Sequence, residues 1–190
     1  MTWIKFGIIW FFIWLIIATI FAPNDYSSFT YLISDLATSY HPYDYLMSIG
    51  FYGYTLIYFI GIYDVYKKQE MTQLLLVLII LSALSMFFLG IYDTNYAASD
   101  VPVYERTLSF HSIFAGGQEA LFIVILLYHI KMSQQKIRRI HLTFLSISML
   151  FSSIFLIVDY TGLFQRLIFI NNGLWVFFYL NRFQDKQKSA

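Results

Sequence analysis

The sequence predicts an all-α integral membrane bundle of six transmembrane helices, and three observations predict it. Hydrophobic residues make up 59% of the chain and charged residues 12%, about half the charged share of a soluble domain, and the mean hydropathy is +0.64. Apolar runs recur along the 190 residues, most of them close to the roughly 20 residues that cross a hydrocarbon core about 30 Å thick. The basic residues also segregate. Lys5, Lys67, Lys68, Lys131, Lys136, Arg138, Arg139, Arg182, Lys186 and Lys188 fall on one side of such a bundle, against Arg106 and Arg166 on the other. The positive-inside rule then puts both termini in the cytoplasm and makes the chain a multi-pass protein of the cell membrane.

The first span runs from about Trp3 to Phe21 and is stopped by Pro23 and Asn24. Ile20-Phe21-Ala22 lacks the small residue at −3 that a signal-peptide cleavage site requires, so the span reads as an uncleaved anchor. A loop of about 20 residues follows, in which the apolar spacing from Phe29 to Ala37 predicts a short interfacial helix. The second span, Tyr45 to Tyr66, and the third, Thr72 to Tyr92, are joined by a tight turn and are therefore antiparallel neighbours. Gly50, Gly53 and Gly61 on one and Ser82, Ala83 and Ser85 on the other let backbones approach. The fourth span is Thr107 to Ile130, with Gly116 and Ala120 as a further small pair. The fifth is Ile140 to Tyr160, and a turn over residues 159–166 leads to a short sixth span, Leu167 to Leu180. The whole chain, 1–190, reads as one transmembrane domain without internal repeats.

The polar residues concentrate at one mouth of this bundle. His111, Ala115 and Glu119 recur at i, i+4 and i+8, so they share one helical face. At about 1.5 Å per residue Glu119 lies roughly 12 Å below His111, where a lone charge costs several kcal/mol unless it is paired, hydrated or protonated. Asp35, Asp93, Asp159 and Arg166 come from separate segments that all end at the same side as His111. In such a cluster His111 is the candidate general base, Asp93 or Asp35 the residue that orients it, and Ser34 the nearest nucleophile. A divalent metal ion held by His111, Asp93 and His41 is a second way to use these groups, although no HxxxH or HExxH spacing supports it. Arg166 and Arg106 would grip a phosphate headgroup, with Glu119, Ser34 and Asp159 as further binding residues. A structural network of ion pairs is the plainer reading of the same cluster. The absence of cysteine excludes disulfides, thiol catalysis and Cys-ligated zinc. The basic residues follow topology, so nucleic acid is not a partner and membrane lipid is the expected one.

Three blocks carry a family resemblance: Tyr31-Leu-Ile-Ser-Asp-Leu-Ala37 with Pro42-Tyr-Asp-Tyr-Leu-Met-Ser-Ile-Gly-Phe51, then Gly90-Ile-Tyr-Asp93 with His111, then Gly162-Leu-Phe-Gln-Arg-Leu167. In this order they resemble the bacterial and archaeal membrane family called domain of unknown function 998, over nearly the whole chain. The resemblance implies a fold and shared positions at Ser34, Asp35, Asp93, His111 and Arg166, and no activity. This chain departs from the family pattern at Tyr92, where a proline often precedes the aspartate. A looser likeness, through the Ile-Ser-Asp loop and the histidine of the fourth span, extends to the FRAG/DRAM/Sfk membrane proteins. Three functions fit these residues: binding and modification of a lipid or other amphipathic molecule at the outer leaflet, a small transporter that uses Glu119, or a non-catalytic interaction or immunity-type protein.

Overall fold

Long apolar runs without an internal proline satisfy their backbone polar groups within the helix, the arrangement a hydrocarbon surrounding demands. The computed structural model describes residues 2–38, 42–68, 71–92 and 110–179. Among these residues there are six α-helices and no strand: α1 (Thr2–Ile20), α2 (Tyr45–Lys67), α3 (Gln73–Ile91), α4 (Phe110–Met132), α5 (Gln135–Phe155) and α6 (Thr161–Tyr179). Four of them, α1 to α4, are long and apolar enough to cross a membrane, which marks the chain as a membrane protein. The remaining two are more polar, because α5 begins with Lys136, Arg138 and Arg139 and α6 carries Arg166, Asn171 and Asn172.

Each helix packs on the next in sequence, and α1 packs on α6, so the six helices close a ring. Neighbours run antiparallel. Trp14 meets Gly50 while Ile4 meets Gly61, Tyr92 stacks on Phe110 while Thr72 bonds Tyr128 at 2.8 Å, and Phe11 stacks on Phe169 while Lys5 lies over the Phe177 ring. The last pair sets the start of α1 beside the end of α6. One end of the ring therefore gathers Lys5, Lys67, Lys68, Lys131, Lys136, Arg138 and Arg139, and the other carries the loop between α1 and α2.

The glycines of α2 serve α1, not the third helix. A methyl at Gly53 would overlap the Trp10 indole, and one at Gly61 would sit 2.6 Å from Ile4 Cγ1. With that indole laid across α2, Trp10 Nε1 donates to the Ile49 carbonyl at 3.2 Å. Between α2 and α3 the approach uses Thr55, whose hydroxyl reaches the Ala83 carbonyl at 3.3 Å, and Gly90, whose carbonyl accepts from Tyr52 at 2.6 Å.

Three expectations are corrected. The stretch from Phe29 to Ala37 does not form an interfacial helix: it makes turns and then a 3-10 helix over Ser34–Ala37, with Ile33, Ser34, Asp35 and Leu36 buried under the bundle end. Ile33 and Leu36 face the core because the loop folds back over the ring, while Phe29 stays exposed. The fifth helix begins five residues before the expected Ile140, since the long aliphatic stems of its basic residues tolerate a helical first turn. Of the expected turn over 159–166, residues 161–166 are the first turns of α6, whose polar Gln165 and Arg166 bond the loop instead of ending the helix.

Candidate functional site

The ring encloses a cavity of about 550 Å³, within the range of small-molecule sites. Its walls are mainly apolar and aromatic, including Phe11, Phe51, Tyr54, Phe122, Phe169 and Trp175. His111 and Ser34 line it at the loop end, and Glu119, Gln118, Ser82, Ser152 and Asn172 line its middle. All three residues of the predicted face, His111, Ala115 and Glu119, look into this one space.

His111 opens α4 and is buried. Its Nδ1 lies 2.8 Å from the carbonyl oxygen of Tyr92; a carbonyl accepts only, so Nδ1 carries a hydrogen, and whenever the ring is neutral Nε2 is its basic nitrogen. Tyr92 supplies that carbonyl because it ends α3 in an extended conformation. Ser34 is buried where the loop enters its 3-10 turn, and among the described residues its hydroxyl meets no hydrogen-bond partner.

Glu119 is held by a chain of side chains across three helices. Asn172 Nδ2 donates to Glu119 Oε2 at 2.7 Å, Ser148 Oγ donates to Asn172 Oδ1 at 2.9 Å, and Asn171 Nδ2 donates to Ser148 Oγ at 2.9 Å and to the Phe144 carbonyl at 3.1 Å. The two asparagines thus act as interhelical ties. The second carboxylate oxygen, Oε1, is buried and meets no hydrogen-bond partner among the described residues.

The other predicted residues are placed elsewhere. Asp35 is buried in the loop, where Oδ2 accepts the Leu32 amide at 2.7 Å, and it does not line the cavity. Arg166 fastens that loop to α6: one guanidinium nitrogen donates to the carbonyls of Ser28, Tyr31 and Gly162 at 2.9–3.0 Å, and the other donates to the Tyr26 hydroxyl. Burial pushes the Tyr26 phenol up to about 12, against the lowering effect of the Arg166 charge, so it stays neutral and donates in turn to the Leu32 carbonyl. Asp159 is exposed between α5 and α6. Asp93, His41 and Arg106 lie outside the described residues. Among the described residues no three His, Asp or Glu side chains gather closely enough to hold a metal ion.

The loop also explains Gly162. A side-chain carbon there would overlap the Tyr31 carbonyl oxygen and come within 2.8 Å of the Ser28 carbonyl oxygen. Because these are backbone atoms, Gly162→Ala is expected to destabilise the protein by about 1–3 kcal/mol, read as a lower thermal midpoint in detergent. A midpoint equal to that of the parent would show that the loop does not need this close approach.

Sequence reasoning left out Gln118, Gln165 and Trp175. Gln118 follows His111 by seven residues, two turns along the same face, so periodicity alone points to it; its Oε1 accepts from Ser82 at 3.0 Å. Gln165 accepts the Ile33 amide at 2.6 Å and so fixes the part of the loop that roofs the cavity. Trp175 closes the far end, with Nε1 donating to His141 Nδ1 at 2.9 Å and its ring against His129. No sequence signal sets Trp175 apart from the other tryptophans.

Six helices, four of them long and apolar enough to cross a membrane, surround a largely apolar cavity, and the chain is a helical membrane protein. The family model described as Protein of unknown function (DUF998) matches residues 6–180, and the chain belongs to that family. No curated protein and no solved structure matches the chain.

Proposed function

We propose that the chain is a six-span protein of the cell membrane, with its basic end cytoplasmic, that takes an amphipathic molecule, in the first instance a lipid, from the outer leaflet into its central cavity. The observation that carries the reading is the cavity itself, about 550 Å³ of mostly aromatic and aliphatic wall with isolated polar groups at two depths. Six spans are supported by the outward faces of α5 and α6, which expose Leu142, Met149, Leu150, Ile170, Leu174 and Phe178 just as α1 exposes Ile9, Ile13 and Ile16. The sidedness is supported by the segregation of basic residues. A route from the lipid is supported by Ser112, Gly116 and Ala120, spaced by four on α4, which line the cavity and are themselves exposed. Facing the same space, α5 contributes Ser152, Phe155 and the exposed Leu156.

In this reading the polar head meets the polar groups of the cavity, His111 and Ser34 at the loop end and Glu119 at mid-depth, and the tail lies along the aromatic wall. Chemical modification is the stronger form of the proposal: His111 Nε2 acts as general base, Ser34 is the candidate nucleophile, and Asp93 and Asp35 assist from the adjoining segments. Transport of a small substrate is the alternative, favoured by the buried carboxylate of Glu119 in the cavity wall.

The test compares lipids that co-purify with the intact protein and with His111→Ala, together with total lipid extracts of the two expressing cells at matched levels. The expected result is a defined species on the intact protein that falls about tenfold on the variant, with both proteins folded in the membrane. A species that changes in the total extract makes the protein an enzyme. Identical co-purifying lipids and identical extracts would overturn the role of His111.

A further inference from the structure

The cavity has a chemical polarity of its own. Its wall holds one carboxylate, Glu119, and one imidazole, His111, and among the described residues no lysine or arginine lines it. Arg166, the one basic residue at this end among those described, is engaged with two loop carbonyls, the Gly162 carbonyl of its own helix and a phenol. An anionic head drawn to mid-depth would therefore meet a carboxylate and no guanidinium or ammonium to offset it.

Glu119 is half provided for. Asn172 satisfies Oε2, but Oε1 is buried and meets no hydrogen-bond partner among the described residues. Ser152 lies beside the carboxyl without a hydrogen bond to Oε1, so that oxygen keeps its capacity to accept. Elsewhere in the cavity wall Gln118 and Ser82 supply further oxygens, and Phe11, Phe51, Tyr54, Phe122, Phe169 and Trp175 supply ring faces. Acceptors with aromatic faces suit an ammonium group, which is held by charge-assisted hydrogen bonds and by the ring quadrupoles. A buried carboxylate left alone is costly, and a cation arriving with the ligand offsets that cost.

We infer that the cavity selects amphiphiles whose polar head is a protonated primary amine, with Glu119 Oε1 as the group that receives it. The inference rests on the reading of the cavity as an amphiphile site. Glu119→Gln keeps an acceptor for Asn172 and removes the charge, so it separates the two roles of the residue.

The experiment measures binding of oleylamine, oleyl alcohol and oleic acid to the purified full-length protein in maltoside micelles, followed by tryptophan fluorescence, and repeats it with Glu119→Gln. The intact protein is expected to bind the amine about ten- to a hundredfold more tightly than the alcohol or the acid. The variant is expected to lose that preference while binding the alcohol within about twofold of the parent. Equal affinity of the intact protein for amine and alcohol overturns the inference while the amphiphile reading stands, and this comparison needs no variant. An amine preference that survives in Glu119→Gln overturns the assignment to Glu119, and shows a carboxyl that serves the helix network alone. Failure of all three probes to bind the intact protein removes the amphiphile reading and the inference with it.

Discussion

Arg166→Met is expected to release residues 26–33 from α6 and open the roof of the cavity. The guanidinium donates to the carbonyls of Ser28, Tyr31 and Gly162 and to the Tyr26 hydroxyl, and methionine has the length of the stem with none of the donors. Bonds from a charged donor to neutral acceptors contribute about 1.5–3 kcal/mol each at most and are not additive, so a local loss of about 3 kcal/mol is the expectation. Hydrogen exchange reads it directly, as a roughly hundredfold drop in protection of amides in 26–33 while the centres of α2 and α3 are unchanged. Lysine at the same position is expected to restore little, because a single ammonium cannot reproduce a planar fork that serves four acceptors. A second readout is the phenol of Tyr26. Burial, the larger effect, raises its pKa to about 12 against the lowering by the Arg166 charge, so release of the loop is expected to let the alkaline titration of Tyr26 fall back toward its ordinary value. Unchanged exchange across 26–33 would show that Gln165 and Thr161, which also hold the loop through the Ile33 amide and the Thr30 carbonyl, suffice without the arginine.

Gly116→Trp is expected to abolish amphiphile binding and leave the protein folded. A side chain at Gly116 meets no atom within 4 Å at its first carbon and points into the cavity lining, so an indole there occupies space that the ligand would use. The helix loses nothing by the change, since glycine is the poorer helix former by several tenths of a kcal/mol. Loss of affinity of about a hundredfold or more, with a thermal midpoint within a few degrees of the parent, is the expected outcome. Gly117→Trp is the control: that position also has open space around it but is not part of the cavity wall. If both tryptophans bind amphiphile as the parent does, the cavity is not the site. If both lose it equally, the effect belongs to the lipid-facing surface of α4.

Much of the helix inventory was legible because it depends on local properties that a run of side chains carries by itself. The four most apolar helices begin and end close to where hydropathy and Pro23 place them, and Asp64 pairs with Lys68 at 2.7 Å across one turn, as adjacent opposite charges on a helix do. The boundaries of α5 and α6 were misplaced for a common reason. Lys136, Arg138, Gln165 and Arg166 look like loop residues to a hydropathy scale, yet each sits on a helix whose polar groups are taken up by a neighbour or by water. The resemblance in three sequence blocks was enough to reach the family, and the family model confirms it over residues 6–180.

The sequence by itself determined that this is a helical membrane protein of that family, that its basic residues lie at one end, and that His111, Ala115 and Glu119 share a face. These follow from composition and from a period of 3.6 residues, which act within a single segment. Only the tertiary structure decided what that face looks at, because ring closure by α1 against α6 makes an enclosed space out of six separate faces. It also decided that Gly116 lines a cavity and not a helix contact, and that Arg166 and Asp35 hold the loop in place without lining that cavity. The role of Arg166 depends on carbonyls that arrive from residues more than a hundred positions away, and no local pattern records that arrival.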